Sequence, residues 1–394
     1  MSHPRRICVV TGSRAEYGHL FWLMRAIKED KSLHLQLVAT GMHLSKAFGS
    51  TYKVIEADGF RIDRKVPVLS FGNSSLGVAQ ALGQGVGRIA RTLVSLKPDM
   101  VLLCGDRYET FAAATAAHVL GIPIAHLHGG ETSQGAIDEA MRHSITKMAY
   151  LHFAATKEYR RRIIQLGEDP RRVYNFGAPG LDHLAHQQLL GRTDLARALR
   201  FDLGAPCAIV TFHPVTLEKV SPLVQLEALL RAVSSTGIRA VFTKANADAG
   251  GEAVNRRLKA FCRTRPERYA LRDNLGSRLY LSCLKDLDLM IGNSSSGIVE
   301  AASFKLPVVN VGDRQKGRLR PANVVDVRPD ARAIAAAIRR VNTPTFRRAL
   351  KDLKNPYAGA GVGAISQRVK AVLRSVPLNE GCLKKTFFDA GGTI

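Results

Sequence analysis

The sequence predicts two doubly wound α/β domains, each a parallel sheet with helices on both faces. Three observations predict this. Short apolar runs without alternation, such as Arg6–Thr11 (RICVVT) and Asp99–Cys104 (DMVLLC), read as strands buried on both sides. Helical patterns fall between such runs, as a parallel sheet with crossover helices requires. The alternation then starts afresh at Cys207–Phe212 (CAIVTF), after a stretch at 177–206 with little strand character. At 394 residues the chain is also too long for one typical domain.

Taken in order, the first domain reads as strand Arg6–Thr11, helix Glu16–Lys28, strand Leu33–Thr40 and strand Asp99–Cys104. Helix Phe111–Leu120, strand Pro123–Leu127, helix Asp138–Tyr150, strand Leu151–Ala155 and helix Thr156–Leu166 follow. In the first helix the apolar residues Leu20, Leu23, Met24 and Ile27 recur at helical spacing. The second domain has strand Cys207–Phe212, helix Leu223–Ser234, strand Ile238–Thr243 and strand Leu287–Ile291. Helix Ile298–Ser303, strand Pro307–Val311 and helix Ala331–Val341 complete it, and Val362–Leu373 is also helical. The boundaries expected are 1–184, 185–355, a helix at 356–376 that returns to the first domain, and a loosely ordered tail at 377–394.

Lys plus Arg is 57 and Asp plus Glu is 33, a formal charge of +24, within a globular balance of 46% hydrophobic and 23% charged residues. Such charge suits nucleic acid or a small anion. The basic residues are dispersed, however, and aromatic residues for base stacking are only 6%, so no specific nucleic-acid partner is expected. No apolar stretch is long enough for a membrane helix or a signal peptide, which predicts a cytoplasmic protein without a membrane partner. The six cysteines include no CxxC pair and read as reduced, buried thiols; no metal site is expected.

Ligands of doubly wound sheets bind where strands end at their carboxyl edge, and every polar cluster here falls at such an edge. Gly12-Ser13-Arg14-Ala15-Glu16-Tyr17-Gly18 can hold an anion through backbone N–H groups, with Arg14 as a further donor. No GxGxxG follows a strand, since Gly83, Gly85 and Gly87 lack one before them, and no GxxxxGK[ST] occurs. Asp106 sits at a strand tip beside Arg107, which suits a phosphate. In HLHGGE, His128 and Glu131 can both exchange protons. Asp138 and Arg142 share a helix face. In the second domain His213 ends a strand, and Asn246 lies in the polar loop NADAGG. Ser294 and Ser295 open a helix as a diphosphate cradle, Glu300 can accept both hydroxyls of a ribose, and Arg314 adds a cation. The second domain thus reads as a nucleotide holder and the first as the reactive side.

Together these motifs resemble the hydrolysing UDP-N-acetylglucosamine 2-epimerases of sialic-acid precursor synthesis. The matching segments are VTGSRAEYG, TGMHLS, CGDRYE, HLHGGE, DEAMRHSITK, TFHP, NADAGG, GNSSSGIVE and GDRQKGR, spanning residues 10 to about 318. The resemblance implies a glycosyltransferase-B type fold with the active site in the interdomain cleft. It implies conversion of UDP-GlcNAc to N-acetylmannosamine plus UDP, by elimination to a 2-acetamidoglucal and addition of water. Carried over by motif, Arg14, Arg107, His213, Asn246, Ser294, Ser295, Glu300 and Arg314 hold the UDP-sugar. Asp106, Asp138 and Arg142 surround the reacting sugar, with His43 nearby. Many relatives have a Glu, thought catalytic, at the position of His128, which leaves the proton-transfer role open between His128 and Glu131.

Inverting C2 takes a proton from one face and returns one to the other, which needs two proton-transfer groups, and Asp106, His128, Glu131 and Asp138 are the candidates. This chemistry needs neither metal nor redox cofactor. A homo-oligomer is expected. Alternatives are a UDP-N,N′-diacetylbacillosamine 2-epimerase of legionaminic-acid synthesis, another sugar-nucleotide enzyme such as a glycosyltransferase, and a basic nucleic-acid-binding protein.

Overall fold

A computed structural model describes residues 3–46, 49–68, 75–134, 137–215, 220–245, 250–359 and 361–390. The chain forms two compact units. One comprises residues 1–131, 138–185 and 357–394; the other comprises 132–137 and 186–356.

Among the described residues the N-terminal unit holds seven strands: β1 (Arg5–Thr11), β2 (Leu33–Thr40), β3 (Arg64–Val66), β4 (Met100–Cys104), β5 (Ile124–Leu127), β6 (Leu151–Ala154) and β7 (Val173–Asn175). All pair in parallel, in the order β3-β2-β1-β4-β5-β6-β7. The winding reverses between β1 and β4, which makes their carboxyl ends the natural ligand edge. Alternate residues of β1 serve opposite faces. Ile7 and Val9 pack with Leu20, Leu23, Met24 and Ile27 of helix Arg14–Glu29 and with Val369 and Leu373 of helix Ile365–Ser375. Cys8 and Val10 pack with Ile89 and Leu93 of helix Ser75–Leu96 and with Ala112–Ala117 of helix Tyr108–Val119. Burial on both sides explains the uninterrupted apolar strands. The return of helix Ile365–Ser375 is pinned by Asp182, whose buried carboxylate accepts from the backbone N–H groups of Gly363 (2.7 Å), Ile365 (3.3 Å) and Ser366 (2.7 Å).

The C-terminal unit has six described strands, β8 (Cys207–Thr211), β9 (Arg239–Thr243), β10 (Tyr269–Arg272), β11 (Leu289–Gly292), β12 (Val308–Val311) and β13 (Val324–Val327), in the parallel order β10-β9-β8-β11-β12-β13. Its switch point lies between β8 and β11. Helices Pro222–Thr236, Gly251–Thr264 and Ala331–Val341 supply Leu226, Leu230, Val254, Leu258, Ile334 and Ile338 to one core face.

The short strands β3, β7, β10 and β13 have no counterpart in the sequence reading, and other features differ from it as well. Helix Ser75–Leu96 carries Gly83, Gly85 and Gly87, whose spacing masks its apolar stripe. At Gly85 a Cβ would stand 2.9 Å from Val68 and 3.2 Å from Ala112, so the glycine lets the helix lie close. The helix expected at Ile298–Ser303 is a four-residue turn, Ser296–Val299, followed by a 3₁₀ turn at Ala301–Phe304. The tail expected to be loosely ordered is mostly exposed where it is described, but it makes specific contacts. Cys382 is buried, Phe388 N–H donates to Gly167 O (2.9 Å), and Lys385 reaches the buried Glu168. A buried carboxylate more than 200 residues earlier holds it, and no local pattern shows that. Among the described residues no helix is long and apolar enough to cross a membrane.

Candidate active site

At the N-terminal switch point the turn after β1 is a capping box. Ser13 Oγ accepts from Glu16 N–H (3.4 Å), and Glu16 Oε2 accepts from Gly12 N–H (2.7 Å). Arg14 is exposed on the first turn of the helix this box opens. Next to it, β4 ends in Gly105, Asp106 and Arg107. Arg107 caps helix Tyr108–Val119, and its Nε donates to the fully buried Glu109 (3.2 Å). Asp106 accepts from Arg142 Nη2, while Arg142 Nη1 donates to Glu139 (2.9 Å). Arg142 is almost wholly buried, so it fixes Asp106 and Glu139 in place. In this structure burial and two carboxylates claim the fork of Arg142, which the sequence reading set among the substrate-binding residues.

His128 and Glu131, at the tip of β5, are joined. His128 Nδ1 lies 2.7 Å from Glu131 Oε1, with both side chains nearly buried. A carboxylate can only accept, so this bond assigns the proton to Nδ1 and leaves the lone pair on Nε2, which is itself buried. Nε2 has no hydrogen-bond partner among the described residues. The His128 backbone is left-handed (φ 63°), a strain that packing must hold, and the His19 ring lies alongside with centroids 4.8 Å apart. The chain leaves the N-terminal unit after Glu131 and returns at Asp138, which begins helix Asp138–Met148 and is half-buried. His126 is buried, with Nε2 2.8 Å from Gly105 O, and burial pushes it down to about 3. It is therefore a neutral support for the β4 tip.

His43 does not belong to the exposed edge. It is wholly buried, Nε2 3.2 Å from Thr11 Oγ1 and Nδ1 2.8 Å from Thr51 Oγ1. Burial pushes it down to about 4. With both ring nitrogens engaged, His43, which the sequence reading set among the substrate-binding residues, braces the end of β1 in this structure.

At the C-terminal switch point Asn293 ties three strand ends together. Its side chain accepts from His213 N–H (2.7 Å) and donates to His213 O (2.8 Å). Its carbonyl accepts from Gln315 Nε2 (2.9 Å) and Arg314 Nη1 (3.3 Å). Ser294, Ser295, Ser296 and Glu300 are half-buried just beyond. Tyr280 faces Ser296, Thr211 and Ser294, and burial pushes its hydroxyl up to about 12, so it stays a donor. A four-residue helix has little macrodipole, so the donors gathered here are hydroxyls, N–H groups and Arg314. Asn246 lies outside the described residues.

Gly292 (φ 132°) underlies this cluster, because a Cβ would penetrate the carbonyl of Thr211 on the neighbouring strand. Gly292→Ala is expected to destabilise the C-terminal unit by about 2–5 kcal/mol, the sum of backbone strain and overpacking. Calorimetry with and without UDP checks this; an unchanged transition would contradict it.

Sequence reasoning did not single out Glu16, Glu109, Glu139 or Tyr280. The Ser13–Glu16 spacing was a usable signal. The others depend on approaches between distant segments.

Two parallel doubly wound sheets, each with polar residues gathered at its switch point, give the glycosyltransferase-B-like two-domain α/β fold. The family model described as UDP-N-acetylglucosamine 2-epimerase matches residues 25–374, and the chain belongs to that family as an enzyme. It is 42% identical over 82% of its length to the GDP/UDP-N,N'-diacetylbacillosamine 2-epimerase (hydrolyzing) of Campylobacter jejuni, covering 84% of that protein. It is 36% identical over 97% of its length to the UDP-N,N'-diacetylbacillosamine 2-epimerase (hydrolyzing) of Legionella pneumophila, covering 98% of it. Identity to the UDP-N-acetylglucosamine 2-epimerase of Neisseria meningitidis is 30% over 85% of this chain and 86% of that one. Among solved structures, UDP-GlcNAc 2-epimerase from Neisseria meningitidis bound to UDP-GlcNAc aligns with TM-score 0.79, at 17% identity over 93% of this chain and 99% of that one.

Proposed function

We propose that the protein hydrolyses UDP-N,N′-diacetylbacillosamine with inversion at C2, releasing UDP and a manno-configured 2,4-diacetamido sugar. The observation that carries this reading is the identity of 42% and 36%, over most of the chain, to two relatives so named, against 30% to one named for UDP-GlcNAc. UDP-GlcNAc, first in the sequence reading, becomes the second choice.

The C-terminal cluster holds the nucleotide: Glu300 the ribose hydroxyls, and Ser294, Ser295 and Arg314 the diphosphate. The N-terminal cluster works on the sugar, with Arg107 on the diphosphate side. In the elimination the C2–H bond gives its proton to a base. Its electron pair forms the C1=C2 bond, and the C1–O bond breaks with UDP taking that pair. An acid then protonates C2 from the opposite face, and water adds its oxygen to C1 while its remaining proton passes to a carboxylate base. His128 Nε2 is the base or acid for one face, with Glu131 holding its tautomer. The carboxylates of Asp106 and Asp138 serve the other face and the cationic ring carbon. Six cysteines, all buried and unpaired, support a cytoplasmic setting.

The test is NMR in heavy water with each UDP-sugar. The diacetamido substrate is expected to give UDP and a C2-deuterated manno sugar with kcat/KM at least about tenfold above that of UDP-GlcNAc. A preference for UDP-GlcNAc would reverse the substrate, and retention at C2 would sink the reaction.

A further inference from the structure

We propose that Glu16 and Glu109 are a positioning pair that sets the guanidinium of Arg107; this rests on the reading above, in which Arg107 meets the diphosphate. Two carboxylates from different helices face one guanidinium. Glu109 accepts from Arg107 Nε (3.2 Å) and Nη2 (3.5 Å), and Glu16 Oε1 lies 4.0 Å from the same Nε. Glu109 is fully buried and Glu16 nearly so, while Arg107 keeps 23% of its side chain exposed. Glu16 is itself held by Gly12 N–H through Oε2, and its Oε1 has no hydrogen-bond partner among the described residues.

The surroundings are cut to fit. Gly41, at the end of β2, has φ +53°, and a Cβ there would stand 2.5 Å from Glu109 Oε1. A Cβ on Gly12, at the end of β1, already stands 3.4 Å from Glu109 Cβ. Two strand ends thus present glycine to one carboxylate. Burial, and then the Glu109 charge, push Glu16 up to about 7. Near neutrality the pair therefore carries less than two charges and does not overwhelm its arginine. Gripping the Nε side of the fork fixes the guanidinium plane, and a fixed plane is what bidentate phosphate recognition needs.

The test is a double-variant cycle on the full chain, with UDP as the titrant and the diacetamido substrate for kinetics. Glu109→Gln is expected to weaken UDP binding and raise KM about tenfold, with kcat within about threefold, and Arg107→Lys to do the same. If Glu109 acts through Arg107, the double variant binds UDP no worse than Arg107→Lys alone. Additive losses, or unchanged UDP affinity in Glu109→Gln while Arg107→Lys is weakened, would overturn the pair alone. Unchanged affinity in Arg107→Lys would overturn the diphosphate role of Arg107 and the pair with it. Should Glu109→Gln fail to fold, Glu16→Gln takes its place in the same cycle with the same expectations.

Discussion

His128→Asn is expected to lower kcat by about 10²–10⁴-fold while UDP affinity stays within about threefold of the parent. The choice of Asn matters. His128 holds φ 63°, and Asn is one of the few side chains that tolerate that region, so a loss cannot be laid to the backbone. Asn also keeps a donor toward Glu131 but has no group that takes up a proton near neutrality. Glu131→Gln leaves the imidazole in place and loosens its tautomer, so a smaller loss, about 10–100-fold, is expected. The readout is UDP release together with deuterium at C2 in heavy water. Turnover of His128→Asn within tenfold of the parent would remove Nε2 from the mechanism. A loss in Glu131→Gln larger than in His128→Asn would exchange the two roles.

Much of the fold was legible because the strands are buried on both faces. Arg6–Thr11 and Cys207–Phe212 show uninterrupted apolar runs since these central strands are buried on both faces. Helix Ser75–Leu96 was not legible. Its Gly85 serves close packing against Val68 and Ala112, and that need arises only once the sheet exists. The site divides in the same way. Asp106, His128 and Glu131 stand at strand tips, where chain order alone identifies the ligand edge. His43 belongs to a matching motif, but a motif does not say which way a side chain turns, and this one turns inward to Thr11 and Thr51. Arg142 reads from sequence as sharing a helix face with Asp138, and its partners in the structure are Asp106, at a strand tip, and Glu139, in its own helix. What stays hidden from sequence is long-range approach. Glu109 matters because the ends of β1 and β2 come to it.

The largest loss of stability is expected at Glu168, where the same kind of approach fastens the tail. Its carboxylate is buried and receives Lys147 Nζ (2.7 Å), His152 Nε2 (3.1 Å) and Lys385 Nζ (2.8 and 2.9 Å). Phe387 adds its ring 5.0 Å from Lys147 Nζ. Burial alone would raise this carboxyl, but the hydrogen bonds from His152, Lys147 and Lys385 outweigh it and bring it down to about 2. Glu168→Ala strands an ammonium in a half-dry site and should cost about 3–5 kcal/mol. Lys385→Met should cost much less, because Lys147 and His152 still hold Glu168 and no buried ammonium remains. The sign with pH follows from a carboxyl held below its unfolded value of 4.5. Its contribution is complete above that value and disappears as pH falls from there through about 2. Thermal melts from pH 7 to pH 2 should therefore converge for the parent and Glu168→Ala at the acid end, with tail cleavage by trypsin faster in the variant at pH 7. Equal melting temperatures for the two at pH 7 would mean that the tail docks without this carboxylate.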